Sequence, residues 1–241
     1  MATVLTETEN ELIELYTEKA FQAYQSGKLS EAARCAQRIL DFDPEDANAL
    51  FLKGATIGRA SKPGKLYIEQ AFGIWKPLVN RLTGDDKALM VNAISHAFAT
   101  MTETPVMLGF RFWSSYYSLE TICSLRDVLQ ELLRLSDALI AAPEDAWITP
   151  LFRANYVTWV YDVVGADLAV PTGCDESILD AFYDMAHALY ELAKRMPLEV
   201  SGAPLLRRRT LQALANFEER NHRESHPERR AYLIQEQKNL S

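Results

Sequence analysis

His222 and His226 stand four residues apart, the spacing that lays two imidazoles on one helix face, and Glu219 and Glu224 flank them. Two histidines beside a carboxylate are a donor set for a divalent transition metal such as zinc. Pro227 works against that chemistry: the residue before a proline is pushed out of the helical region, so the paired geometry fails at His226. Solvated surface histidines are therefore expected, and neither a metal nor any other cofactor is assigned. His96 falls on the apolar stripe of its segment and reads as packed, while His187 in Met185-Ala186-His187-Ala188-Leu189 makes only a modest claim to a catalytic role. Cys35, Cys123 and Cys174 are odd in number, far apart and without a CxxC pair, which fits small buried hydrophobes in a reducing compartment. Carboxylates come in pairs, Asp85-Asp86, Glu144-Asp145 and Asp180 with Asp184 among them. Most lie at helix starts, where the N-terminal dipole favours them. No glycine-rich phosphate loop, GxSxG or HExxH occurs, and the chain reads as non-enzymatic.

The densest local feature is aromatic. Phe110, Arg111, Phe112, Trp113, Tyr116 and Tyr117 crowd one stretch, and Phe152, Tyr156, Trp159 and Tyr161 form a second group. Such side chains build either a wide core or the floor of a ligand pocket with Arg111, Trp113, Tyr116, Tyr117 and Trp159 in its wall. The charge is uneven: 11 basic against 14 acidic side chains in residues 1–103, 6 against 14 in 104–200, and 8 against 5 in 201–241, for a net of −8. An acidic middle argues against a general nucleic-acid binder. The arginines of the tail (Arg207, Arg208, Arg209, Arg220, Arg223, Arg229, Arg230) read mainly as a solvated face, with an acidic partner or self-association as the alternative. No segment is long and apolar enough to span a membrane. The polar, acidic N-terminus has no secretory pattern, so the cytoplasm is the expected location.

These residues must be positioned by helices. Leu12, Tyr16, Ala20, Ala23 and Tyr24 follow helical spacing, and β-type alternation hardly appears in the chain. Gly27 stops the first helix, a second opens near Ser30, and Pro44 ends the pair. Tyr16, Ala20 and Ala23 then recur 34 residues later as Leu50, Gly54 and Ile57, and 39 residues further on as Leu89, Ala93 and His96. Ala32, Ala36 and Ile39 correspond to Ala71, Trp75 and Leu78, which puts the five extra residues in the turn around Ser61-Lys62-Pro63-Gly64. Beyond Glu103-Thr104-Pro105 the echo fades, and helices are expected near 111–141, 149–167, 175–196, 203–222 and 227–239, with Asp175 or Thr172 and Ser201 as caps.

The slots held by Tyr16, Ala20, Ala23, Ala32, Ala36 and Pro44 resemble the tetratricopeptide repeat, over about residues 10–100. Lys19, Lys53 and Thr83 depart from its pattern. The resemblance implies an all-α solenoid of antiparallel helix pairs, about ten helices in all. Repeats would occupy 1–103; further helical hairpins packed on them, with basic C-terminal capping helices, would occupy 104–241. It also implies a concave groove for a peptide or protein partner, lined by Glu14, Thr17, Phe21 and Tyr24, by Asn48, Phe51 and Ala55, and by Met90, Ile94 and Ala97. An adaptor or chaperone-like interaction module is the function expected, and a ligand-binding or enzymatic domain using the aromatic pocket within 104–170 is the alternative.

Overall fold

Turn chemistry sets the first helices. Thr6 and Glu9 form a reciprocal capping box, with the Glu9 carboxylate accepting from Thr6 N at 2.7 Å. That starts α1 (Glu7–Gln25). Gly27 adopts φ +73°, Lys28 N donates to Ala23 O at 2.8 Å and Gly27 N to Tyr24 O at 3.1 Å, a Schellman ending that only a residue at ease with positive φ permits. Helix α2 (Leu29–Phe42) then stops ahead of Pro44, and Asp46 caps α3 (Ala47–Arg59) by accepting from Ala49 N at 2.7 Å. The insertion between the next two helices is pinned by paired backbone bonds between Lys62 and Lys65 and by Ser61 Oγ accepting from Tyr67 N at 2.9 Å.

The computed structural model describes residues 6–62, 64–115, 118–141, 143–164, 175–196, 198–199, 202–221 and 226–240. Among them the chain is all-helical and contains no strand. After α3 come α4 (Ile68–Arg81), α5 (Gly84–Ser115), α6 (Leu119–Ile140), a single 3-10 turn (Pro143–Asp145), α7 (Ile148–Val164), α8 (Glu176–Arg195), α9 (Ala203–Asn221) and α10 (Pro227–Asn239). The chain divides into two compact units, 1–102 with 143–147, and 103–142 with 148–241.

In the first unit α1 packs on α2, α2 on α3 and α3 on α4. Its core is Ala20, Ala32, Ala36, Ile39, Leu52, Ala71, Phe72, Trp75 and Leu78. Trp75 is fully buried and its indole Nε1–H donates to Phe51 O at 3.1 Å. A Cβ on Gly54 would collide with that indole, and one on Gly58 with Met101 Sδ. Phe72 meets Trp75 edge-on at 5.5 Å and Phe98 at 5.4 Å. The 143–147 segment is held by a Lys76–Asp145 ion pair of 2.7 Å and by Trp147 stacked at 6.0 Å on Phe72. The register of α5 corrects the sequence reading: Leu89 is 69% exposed and His96 is exposed, while Ile94, Ala97, Phe98 and Met101 face inward. The cause is the contact pattern just given, since Phe98 must reach Phe72 and Met101 must reach Gly58. Pro105, where the repeat echo fades, lies inside a helix. Helix α5 runs through it to Ser115, so the expected 111–141 helix is two elements, with Ser118 capping α6 through Thr121.

In the second unit α8 is central and packs on α6, α7 and α9. It buries ten residues, Phe182, Met185, Leu189, Tyr190 and Leu192 among them, and is apolar most of the way round. Asp175 precedes it without a side-chain capping bond, and the other two expected caps, Thr172 and Ser201, lie outside the described residues. Arg207 closes its far end, donating Nε to Ala193 O at 2.9 Å and Nη2 to Lys194 O at 2.6 Å and to Met196 O. One arginine of the supposed solvated face is thus a C-terminal cap. Helix α10 is held differently, with only Leu233 buried. Arg229 lies 4.1 Å over the Tyr183 ring and 2.8 Å from Asp180; Tyr232 donates to Glu191 at 2.7 Å; Glu236 accepts from Tyr190 at 2.6 Å and pairs with Lys194 at 3.0 Å. His187 sits between Tyr183 and Tyr232, 3.9 Å from Glu191.

Two predictions come from this packing. Gly54→Ala is expected to destabilise by about 1–3 kcal/mol through overpacking, although alanine is the better helix former. Gly73→Ala, with nothing within 4 Å of its added Cβ, is expected to stabilise by about 0.5–1 kcal/mol. Denaturant titrations of both variants check the opposite signs; two shifts of one sign would refute the contact at Gly54. The second concerns acid. Burial pushes the His187 pKa below its ordinary 6.5, against the opposing pull of Glu191 and Asp184. Burial alone would raise the Glu236 carboxyl, but hydrogen bonds from Tyr190 and Lys194 outweigh it and hold it below 4.5. In both cases the native state binds fewer protons than the unfolded one, so stability present above the unfolded pKa is lost as pH falls. The melting temperature should therefore drop from about pH 7 to 5.5, and again below about pH 4.5. His187→Gln should flatten the upper limb; equal upper slopes in the two proteins would reject the assignment.

Candidate functional site

The groove expected from the repeat resemblance draws on α1, α3 and α5 of the first unit. Glu14 and Asn48 are exposed, and Thr17, Phe21, Tyr24 and Met90 are half-buried. Phe51 is 7% exposed, Ile94 and Ala55 are fully buried and Ala97 is 5% exposed, so these four belong to the core and offer no free side-chain surface. The reason is local. Phe51 stacks on Trp75 at 6.4 Å with 17° between the planes, and Ile94 lies on the inward stripe that Phe98 and Met101 continue.

The structure does bring Phe21 and Phe51 together, their rings 6.3 Å apart at 19°. Phe21, Phe51 and Trp75 thus form a stack that begins at the surface on α1 and ends in the core on α4. Tyr24, one turn on, carries the Arg59 guanidinium 5.0 Å over its ring, and Arg59 Nη1 donates to Tyr24 O at 3.1 Å. Burial pushes the Tyr24 phenol up despite that nearby cation, so it stays a neutral donor. The surface so formed is apolar at Phe21, polar at Thr17 and Tyr24, and acidic at Glu14. Arg59 was not among the residues read from sequence; its spacing of 35 from Tyr24, one repeat length plus one, was the available signal.

Of the second candidate set, Arg111 is exposed and Trp159 is 1% exposed. Trp159 packs edge-on against Phe152 at 6.2 Å and Tyr156 at 5.4 Å, which makes these three a core cluster of α7; the Tyr161 side chain lies outside the described residues. The side chains of Trp113, Tyr116 and Tyr117 lie outside the described residues, as do His222 and Glu224. His226 precedes α10 and lies 3.7 Å from Asp180 and 3.4 Å from Glu228. Among the described residues no group of three or more His, Cys, Asp or Glu could hold a metal ion, and no helix is long and apolar enough to cross a membrane.

No protein-family model matches the chain, and no curated protein or solved structure matches it either. The likeness to tetratricopeptide repeats therefore rests on the residues named above.

Proposed function

We propose that the first unit is a non-enzymatic interaction module of the helical-repeat kind, an adaptor or chaperone-like domain of the cytoplasm that holds a peptide or protein segment against the α1 face. The observation that carries this reading is the Phe21–Phe51–Trp75 stack. An aromatic ring that is half-exposed, yet fixed from beneath by two buried rings, meets a partner with little rotamer entropy left to lose. Rigid aromatic anchors ringed by polar side chains are the usual centres of binding energy. Thr17, Tyr24 and Glu14 supply that ring here. Unbroken turn chemistry at Gly27 and Asp46, with small residues at Ala20 and Gly54 where helices approach, supports antiparallel pairs of the tetratricopeptide type.

The test must leave the core alone. Phe51→Asp would bury a charge at a 7% exposed position and report on folding instead of binding. Phe21→Asp combined with Glu14→Lys changes one half-buried and one exposed position and no fully buried residue. Affinity capture from the native host's lysate with mass spectrometry is expected to lose the partners of the wild-type chain in this double variant, with the circular dichroism unchanged. An identical captured set from both proteins would reject the α1 face as the binding surface.

A further inference from the structure

A second polar site lies in the other unit, where the C-terminal turns of α6 and α8 meet the first turns of α7. Ser136, Asp137, Thr149, Arg153, Tyr156 and Arg195 line a concavity of about 360 Å³, with Ile140 and Ala141 as its apolar wall. This falls at the small end of ligand-site volumes, about 300–1,000 Å³.

Its hydrogen bonding is unbalanced in one direction. Ser136 and Tyr156 are 1% and 2% exposed, and their hydroxyls bond to each other. Two hydroxyls carry two protons but share one bond, and the structure gives neither oxygen a further acceptor among the described residues. Burial pushes the Tyr156 phenol up, so both groups keep their protons. Arg195 donates Nη2 to Asp137 at 3.0 Å, and Asp137 is thereby engaged. Arg195 Nη1 is shielded from solvent and has no hydrogen-bond partner among the described residues. Arg153 adds a second, exposed guanidinium, and Thr149 a hydroxyl. The shielded groups left over are thus donors, and the lining carries two positive charges against one negative.

We propose that this concavity binds a small organic monocarboxylate, its charge met by Arg153 and Arg195 beside the Ser136–Tyr156 hydroxyl pair and its apolar body lying on Ile140 and Ala141. Asp137 holds the Arg195 guanidinium in a set orientation beside the concavity, and the exposed Arg153 guanidinium supplies the second charge that a carboxylate can pair with. The apolar wall favours a carboxylate with a hydrocarbon body over a bare inorganic anion. This site is independent of the α1 face and stands or falls without it.

The experiment is isothermal titration calorimetry of the full chain with sodium benzoate, with benzamide and inorganic phosphate as comparison probes. Benzoate is expected to bind one-to-one with a Kd of about 1 mM or tighter. Benzamide, its neutral isostere, should show no saturable heat, and phosphate should bind at least several-fold more weakly. Arg195→Gln should weaken benzoate about tenfold, and Tyr156→Phe and Arg153→Gln several-fold each. Arg153 is exposed, so its variant folds even if Arg195→Gln does not. Benzoate without saturation at about 20 mM, benzamide binding as tightly, phosphate binding more tightly, or benzoate affinity unchanged in Arg153→Gln and Tyr156→Phe would each overturn the proposal.

Discussion

The first unit is arranged around where one indole can lie. Trp75 has no exposed surface, so its N–H must find an acceptor inside the protein, and it finds the Phe51 carbonyl at 3.1 Å. To reach it the ring must lie flat against α3, which requires the missing side chain of Gly54. With the ring fixed there, its two faces and edge become surfaces for others. Phe51 stacks on it, Phe21 stacks on Phe51, and Phe72 meets its edge. Phe72 in turn positions Phe98 on α5 and Trp147 in the 143–147 segment. One satisfied donor thus propagates into the register of α5 and into the rigidity of the surface ring at Phe21.

The second unit solves a different problem. Helix α8 is apolar over most of its circumference and is covered by α6, α7 and α9, while α10 carries a single buried residue. What holds α10 is a row of specific pairs: Arg229 with Asp180 and the Tyr183 ring, Tyr232 with Glu191, and Glu236 with Tyr190 and Lys194. These fall at positions 229, 232 and 236, on one stripe of the helix with the buried Leu233. Exposed or half-exposed pairs of this kind contribute little each, roughly 0–1 kcal/mol. Helix α10 is accordingly the element most open to local release, while α8 shares the stability of the whole unit.

How much of this was legible depends on the range of the interaction. Gly27, Pro44 and Asp46 act on their own neighbours, so the first two helix pairs could be read from residue type and spacing. The bounds of α7 to α10 were also close, because Pro and Gly punctuate that half. Failures occurred where a distant contact decided. Residues 89, 93 and 96 continue the spacing of 50, 54 and 57, yet Phe98 and Met101 set a face one residue away. The repeat echo fades at Pro105, yet that residue lies inside α5, which continues to Ser115. Phe51 and Ile94 read as groove residues because a repeat pattern assigns faces without knowing that Trp75 covers one of them. The cluster at Ser136, Tyr156 and Arg195 was beyond reach, since it joins three helices separated by 20 and 39 residues. Its one local trace is a serine between Leu135 and Leu139 on the apolar face of α6.

That serine poses an energetic question. An alanine at 136 facing a phenylalanine at 156 would keep the shape of the α6–α7 core without desolvating two hydroxyls, and such exchanges can be nearly neutral or stabilising. Packing alone therefore does not account for a buried hydroxyl pair beside a guanidinium with one shielded nitrogen that has no partner among the described residues. The helix ends explain part of it. Asp137 and Arg195 lie near the C-termini of α6 and α8, where unpaired carbonyls favour a cation such as Arg195. They do not explain Arg153, in the second turn of α7, or the spare proton of the Ser136–Tyr156 hydroxyl pair. What the described residues leave unsatisfied in this cluster is thus a set of donors and positive charge that suits an acceptor from outside.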